Sequence, residues 1–213
     1  VLIGLKESFI FLSTQKTAST AIEAALHPRA EIRLMESQFG KHMTIVEMMD
    51  RLGWLFNETD VGTFFIFGVI RDPVDFTLSL YNSHKGPGFV TMPHVYTGDM
   101  DFAAFLERWV PANYPQIIPQ HHRFLDREGR IGANYVITYD RLREGLAYVR
   151  RRLGGARIPT LKKLNQTRGG ITRRDLKPGE LAWIQDHFKN DYRFMARHCD
   201  TALDSFSIRP DFL

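Results

Sequence analysis

The 213-residue chain has a single cysteine, Cys199. One thiol closes no internal disulfide and builds no cysteine-based zinc site, which favours a reducing compartment, read here as the cytoplasm. Long apolar runs are missing too. The longest, residues 64–70, has seven members, whereas a membrane-crossing helix needs about 20. No membrane span is expected, although a start at Val1 leaves room for a trimmed leader or anchor. Glycine is absent between Phe9 and Ala25, so the G-x-x-x-x-G-K-[ST] loop of ATP and GTP enzymes is not present there. The chain also lacks an H-E-x-x-H pair for zinc and a G-x-S-x-G elbow for acyl transfer. It has no internal repeat and no low-complexity tract.

With 44% hydrophobic and 24% charged residues, the chain reads as an ordinary globular protein able to bury a core, in one domain spanning 1–213. The formal net charge is +4, which fits either a mildly basic surface or a site for an anion. Nucleic-acid binding needs a clustered basic face. The densest basic run, Arg150-Arg151-Arg152, falls at the end of a predicted helix, where cations complement the helix dipole. Nucleic acid is therefore not an expected partner.

Strand-like and helix-like runs alternate, which predicts an α/β fold: three layers, a central mostly parallel sheet flanked by helices. Strands are expected at 8–14, 31–34, 62–70 and 135–138. The unbroken apolar run ending at Ile70 implies burial on both faces. Helices are expected at 19–26, 44–52, 73–82, 101–109, 116–126, 140–153 and 178–198. Asp72-Pro73 is a helix start, an acceptor at the N-cap followed by proline at the first helical position. Residues 85–98, rich in glycine and proline, read as a long loop, and 160–177 as irregular.

Two constellations carry chemistry. In the first, an apolar strand runs into Gln15-Lys16-Thr17-Ala18-Ser19-Thr20 and then a helix. Backbone N–H groups and the positive end of a helix dipole converge at such a turn and attract phosphate. Lys16 and the hydroxyls of Thr17, Ser19 and Thr20 add donors. In the second, the buried strand ending at Ile70 delivers Arg71 ahead of a capped helix that carries Ser79 two turns on. Arg71 is suited to bidentate phosphate binding, and Asp72 or Asp75 would be its mate in a purely structural ion pair. Together the two predict anion sites at the C-terminal tips of two strands, where open α/β sheets bind ligands. A nucleotide with phosphates at both its 5′ and 3′ ends would fill both.

On these residues the chain resembles the sulfotransferases that use 3′-phosphoadenosine 5′-phosphosulfate (PAPS) and release adenosine 3′,5′-bisphosphate (PAP). Gln15 to Thr20 is similar to that family's 5′-phosphosulfate loop, with Gln15 in place of the usual proline. Arg71-Asp72-Pro73-Val74 with Ser79 and Tyr81 resembles its 3′-phosphate motif. Thr138-Tyr139-Asp140-Arg141-Leu142 resembles a late segment whose tyrosine approaches the adenine, departing from it at Asp140 and Arg141. Asn165-Gln166-Thr167-Arg168-Gly169-Gly170 resembles the loop that closes over the 3′-phosphate through a basic residue and a glycine. The resemblance implies a P-loop-like fold without a Walker A motif. It also implies that Gln15 to Thr20, Arg71, Ser79, Tyr139, Arg168 and Gly169 hold the nucleotide.

His42 follows the second predicted strand, in the interval where many of these enzymes place a histidine base. An imidazole of ordinary pKa about 6.5 takes a proton near neutral pH. Glu31 and Glu36 are the reserve bases, and Glu23 reads as solvated or salt-bridged. His84 is a lesser site candidate, and His121-His122 reads as packing or surface. The expected acceptor is a small molecule, sugar or lipid carrying a hydroxyl, less readily an amine, held by 85–98 and 114–120. Two other readings stay open: a nucleotide kinase with a degenerate P-loop, and a non-catalytic module binding nucleic acid or sulfated glycan.

Overall fold

The computed structural model describes residues 1–36, 40–56, 61–114, 117–155 and 170–212. The chain runs β1 (Leu2–Gly4), β2 (Phe9–Leu12), α1 (Ser19–Leu26), β3 (Ile32–Arg33), α2 (Ile45–Leu52), β4 (Phe65–Ile70), α3 (Pro73–His84), α4 (Phe102–Ala104), α5 (Val110–Ala112), β5 (Tyr135–Thr138), α6 (Leu142–Arg152), α7 (Pro178–His187) and α8 (Lys189–His198). Five strands form one sheet in the order β3-β1-β2-β4-β5. β2, β4 and β5 pair in parallel, while β1 lies antiparallel to both β2 and β3. The sheet is thus mixed where a mostly parallel one was expected. The difference is β1, whose three residues are too few to show a periodicity in the sequence.

Alternation along the parallel strands sends side chains to opposite faces. Ile10, Leu12, Ile66 and Val136 pack with Met48 of α2 and Phe194 of α8. Phe9, Phe11, Phe67 and Ile137 pack with Ile22 of α1 and Val149 of α6. Each fully buried side chain of this size contributes about 1.5–3 kcal/mol. A third cluster joins α3 to Phe105, Trp109, Ile184 and Phe188. Both faces of the strands are covered, as the continuous apolar run of β4 implies.

Local signals set the helix ends that matter for the site. Asp72 caps α3, accepting from the N–H groups of Val74 and Asp75 at 2.8 and 3.2 Å, with Pro73 at the first position. Thr44 and Glu47 form a reciprocal capping box on α2.

Other expectations shift. The helix predicted at 101–109 runs through α4, a π-helical segment Phe105–Trp109 and α5. Of the helix predicted at 116–126, Gln116 lies outside the described residues, and the rest is helical only as a short 3-10 turn, Gln120–Phe124. The last helix breaks at fully buried Phe188, whose backbone leaves helical geometry (φ −106°, ψ 20°). Arg168 and Gly169 lie outside the described residues. Among the described residues no helix is long and apolar enough to cross a membrane.

Candidate anion site

β2 ends at Leu12, and the next six residues turn the chain into α1. Lys16 and Ala18 both take left-handed backbone conformations, each with φ 59°. Such residues cost about 1–2 kcal/mol each when they carry a Cβ. Lys16 and Ala18 flank Thr17, and alternation of right- and left-handed residues is the backbone pattern that forms anion-binding concavities. Thr17 Oγ1 donates to the carbonyl of Thr14 at 2.8 Å and braces the turn from within. Ala18 is the N-cap of α1 and offers no side-chain acceptor, and the first turn of α1 holds no acidic residue. The leading N–H groups of the helix therefore keep their partial positive charge for something else. The expected donors divide: Thr17 is spent on the loop, Ser19 is buried, and Thr20 is half-buried at the rim.

β4 lies directly beside β2, in parallel register with Leu12 opposite Gly68. Their tips are neighbours, and Arg71 leaves the second tip toward the first. Its Nη1 donates to the carbonyl of Lys16 at 3.0 Å. Its guanidinium carbon sits 4.6 Å from the centre of the Tyr139 ring, just beyond β5. Its Nε is buried with no partner among the described residues, as are Oγ1 of Thr14 and Oε1 of Gln15. An unmet buried donor costs about 1–3 kcal/mol, more when charged. Burial, and then the neighbouring Arg71, lower the Lys16 ammonium from its ordinary value to about 8.

Asp72 and Asp75 are the obvious mates for Arg71, and both are taken. Arg173 reaches them from the far end of the sequence, its Nε on Asp75 at 2.8 Å and its Nη2 on Asp72. Neither Lys16 nor Arg71 has a carboxylate within ion-pair distance among the described residues. Two cations therefore sit at adjacent strand tips with their charge uncompensated.

Ser79 is half-buried on α3 and no hydrogen bond joins it to Arg71. One turn further, the side chain of Asn82 receives the N–H of Ile171 at 3.1 Å and donates to its carbonyl at 2.8 Å. This pins the chain just after Gly170 to α3. A Cβ on Gly170 (φ 103°) would fall 2.4 Å from Oδ1 of Asn82, so a side chain there would be strained and would displace Asn82.

His42 stands on the same β2 tip. Its Nδ1 lies 2.7 Å from the carbonyl of Ser13, three residues before Lys16. A carbonyl only accepts, so Nδ1 carries the proton and Nε2 keeps its lone pair. Burial, then the charges of Arg123 and Lys41, lower the imidazole to about 4. It is neutral at pH 7. Lys41 is paired with Glu23 at 2.9 Å and also reaches Thr20 Oγ1 at 3.3 Å. Glu23 is fully buried and accepts from Ser13 Oγ at 2.7 Å, so it is salt-bridged inside the protein and not solvated. Glu31 and Glu36 are exposed, and Glu31 accepts from the N–H of Leu5 at 2.7 Å, near the β1–β2 turn. His84 packs between Phe89 and Trp109.

Sequence reasoning passed over Arg123, Asp191 and Arg173, and it placed Gln120 only in the 114–120 stretch expected to hold the acceptor, whereas its side chain bonds the Arg71 backbone. Asp191 left one readable trace: it falls on the same helical stripe as Ile184, Phe188 and Met195, where an acid must find buried partners. It is fully buried and accepts from the N–H groups of Gln120 and His121, both at 2.9 Å, and from His121 Nδ1 at 2.6 Å.

Comparison of the chain with protein-family models, with curated proteins and with solved structures finds no match.

Proposed function

We propose that this protein is a PAPS-dependent sulfotransferase, built on a three-layer, P-loop-like nucleotide-binding fold that does without a Walker A motif. One observation carries the reading: Lys16 and Arg71 meet at two adjacent parallel strand tips, beside an uncapped helix, with no carboxylate paired to them among the described residues. A fold keeps two desolvated cations together when an anion is to join them. An ATP-type enzyme would instead need a carboxylate for magnesium near that tip, and the acids that follow Arg71 in the chain, Asp72 and Asp75, are bound to Arg173.

In the proposed reaction PAPS is the donor substrate. The acceptor hydroxyl oxygen attacks sulfur in line, forming a new S–O bond. The bond from sulfur to the 5′-phosphate oxygen breaks, and its electron pair leaves with PAP. His42 Nε2 takes the acceptor proton. Lys16 stabilises charge growing on the departing oxygen, and the N–H groups of the loop, with Ser19 and Thr20, hold the 5′-phosphate. Arg71 and Ser79, with Arg168 and Gly169, hold the 3′-phosphate. Tyr139 supports the guanidinium of Arg71 from beneath, a different task from the adenine contact the resemblance implies. The acceptor is a hydroxyl-bearing small molecule, sugar or lipid, and a reducing cytoplasm is the compartment that suits the single thiol.

Calorimetry with PAP, ATP–magnesium and polyanionic glycan separates the readings. The proposal expects PAP to bind in micromolar range or tighter and ATP–magnesium to bind at least ~10-fold more weakly. Equal or tighter binding of ATP–magnesium, or no binding of PAP, overturns it.

A further inference from the structure

The short 3-10 turn Gln120–Phe124 touches both arms of the site. Its first residue holds the Arg71 backbone from both sides: Arg71 N–H donates to Gln120 Oε1 at 3.1 Å, and Gln120 Nε2 donates to the Arg71 carbonyl at 2.8 Å. This two-way amide pairing continues the sheet ladder one step past the end of β4, with a side chain standing in for a strand. Its fourth residue, Arg123, is almost fully buried and donates from Nη1 to the carbonyl of His42. Gln120 and Arg123 both lie inside the protein, where neither can serve as a surface contact.

The turn is itself clamped. Asp191 of α8 accepts from two of its backbone N–H groups and from His121. Phe124 packs so closely on β4 that a Cβ on Gly68 would come within 2.5 Å of its ring. The turn is thus fixed to the strand that delivers Arg71 and to a helix outside the sheet. A 3-10 turn this short has little stability of its own, so this degree of anchoring calls for a task.

We infer that Gln120 and Arg123 are positioning residues, and that the turn carrying them sets the spacing between the nucleotide cradle and the base. Gln120 aims Arg71 at the anion by fixing its backbone, and Arg123 fixes the segment that presents His42. The inference rests on the sulfotransferase reading. It adds that the cradle and the base are registered against each other by one element that touches neither substrate.

The test is a double-mutant cycle read by PAP calorimetry, with thermal unfolding as control. Gln120→Leu is expected to weaken PAP binding at least ~10-fold in the wild-type background, the scale of losing one oriented charged contact. In the Arg71→Ala background the same change is expected to cost less than about 2-fold, because Gln120 acts only through Arg71. A merely structural role would give the same loss in both backgrounds, and that result overturns the inference. If Gln120→Leu does not fold, Gln120→Asn keeps the amide but shortens its reach, and the same comparison applies. For the second arm, Arg123→Met is expected to leave PAP affinity within about 2-fold while the His42 ring resonance moves its titration upward. Arg123, Lys41 and the Val1 amino group are the charges facing that ring, so Lys41→Met run alongside apportions the change. An unmoved His42 titration in Arg123→Met overturns the second arm. Wild-type protein that does not bind PAP overturns the functional reading and the inference together. Wild-type binding matched by Gln120→Leu overturns the inference alone.

Discussion

The guanidinium of Arg71 is hydrogen-bonded to the carbonyl of Lys16, 55 residues earlier in the chain, so two like charges share one small space. Among the described residues no carboxylate pairs with either cation, and Asp72 and Asp75, which follow Arg71 in the chain, are both paired with Arg173. Under the proposed function, a polyanion bound there would relieve the repulsion between the two cations.

Lys16 makes this measurable. Its ammonium titrates near pH 8 in the free protein, and a bound phosphate restores the charged form. PAP binding at about pH 9 is therefore expected to take up close to one proton, and affinity to fall about tenfold per pH unit above the Lys16 value. Calorimetry in buffers of different ionisation enthalpy reads the proton count. Uptake that persists unchanged in Lys16→Met would show that another group is responsible. With an acceptor in hand, Lys16→Ala is expected to lower turnover at least ~100-fold with the fold intact.

Arg71→Lys retains the charge but loses the fork and the stack on Tyr139. It is expected to weaken PAP binding at least ~10-fold, with stability unchanged within about 1 kcal/mol. Wild-type affinity in Arg71→Lys would mean that only net charge matters there.

His42 gives a prediction with a definite sign. Its folded value, about 4, lies below the ordinary value of 6.5. Between these limits the unfolded chain binds the extra proton first, so stability contributed by neutral His42 is complete above 6.5 and is lost as pH falls toward 4. His42→Gln should flatten the difference in unfolding temperature across that window. The acid limb of turnover should also lie well below the ordinary histidine range, leaving the rate at about pH 5.5 near its neutral value. A His42 resonance titrating at 6.5 would contradict both.

Ala18 occupies a conformation that glycine adopts freely. Ala18→Gly is expected to stabilise the protein by about 1 kcal/mol in chemical denaturation, with PAP affinity held within about 2-fold. Gly68→Ala acts in the other direction. Its new methyl group would collide with Phe124, costing about 1–3 kcal/mol and loosening the turn that holds Arg71.

Several features were legible along the chain. The span of α1, the capped start of α3, and the buried strand that delivers Arg71 each follow from residues within a few positions of one another. The glycine-free loop was legible only in part. Its missing glycines exclude a Walker A motif, yet Lys16 and Ala18 adopt left-handed conformations that no rule of residue preference would assign to them. The β1 hairpin and the break at Phe188 were not legible, because a three-residue strand and a kink in a periodic helix leave almost no local signal.

By itself the sequence determined which cations and hydroxyls stand at strand ends and which helices follow them, since periodicity, capping and charge act over one or two turns of chain. Tertiary structure alone decided that Arg71 meets Lys16, that Asp72 belongs to Arg173 101 residues away, and that Gln120 and Arg123 reach back 49 and 81 residues to the two arms of the site. Such pairings depend on the order of strands in the sheet and on which of many competing side chains is buried beside which, and neither is encoded in any short window of residues.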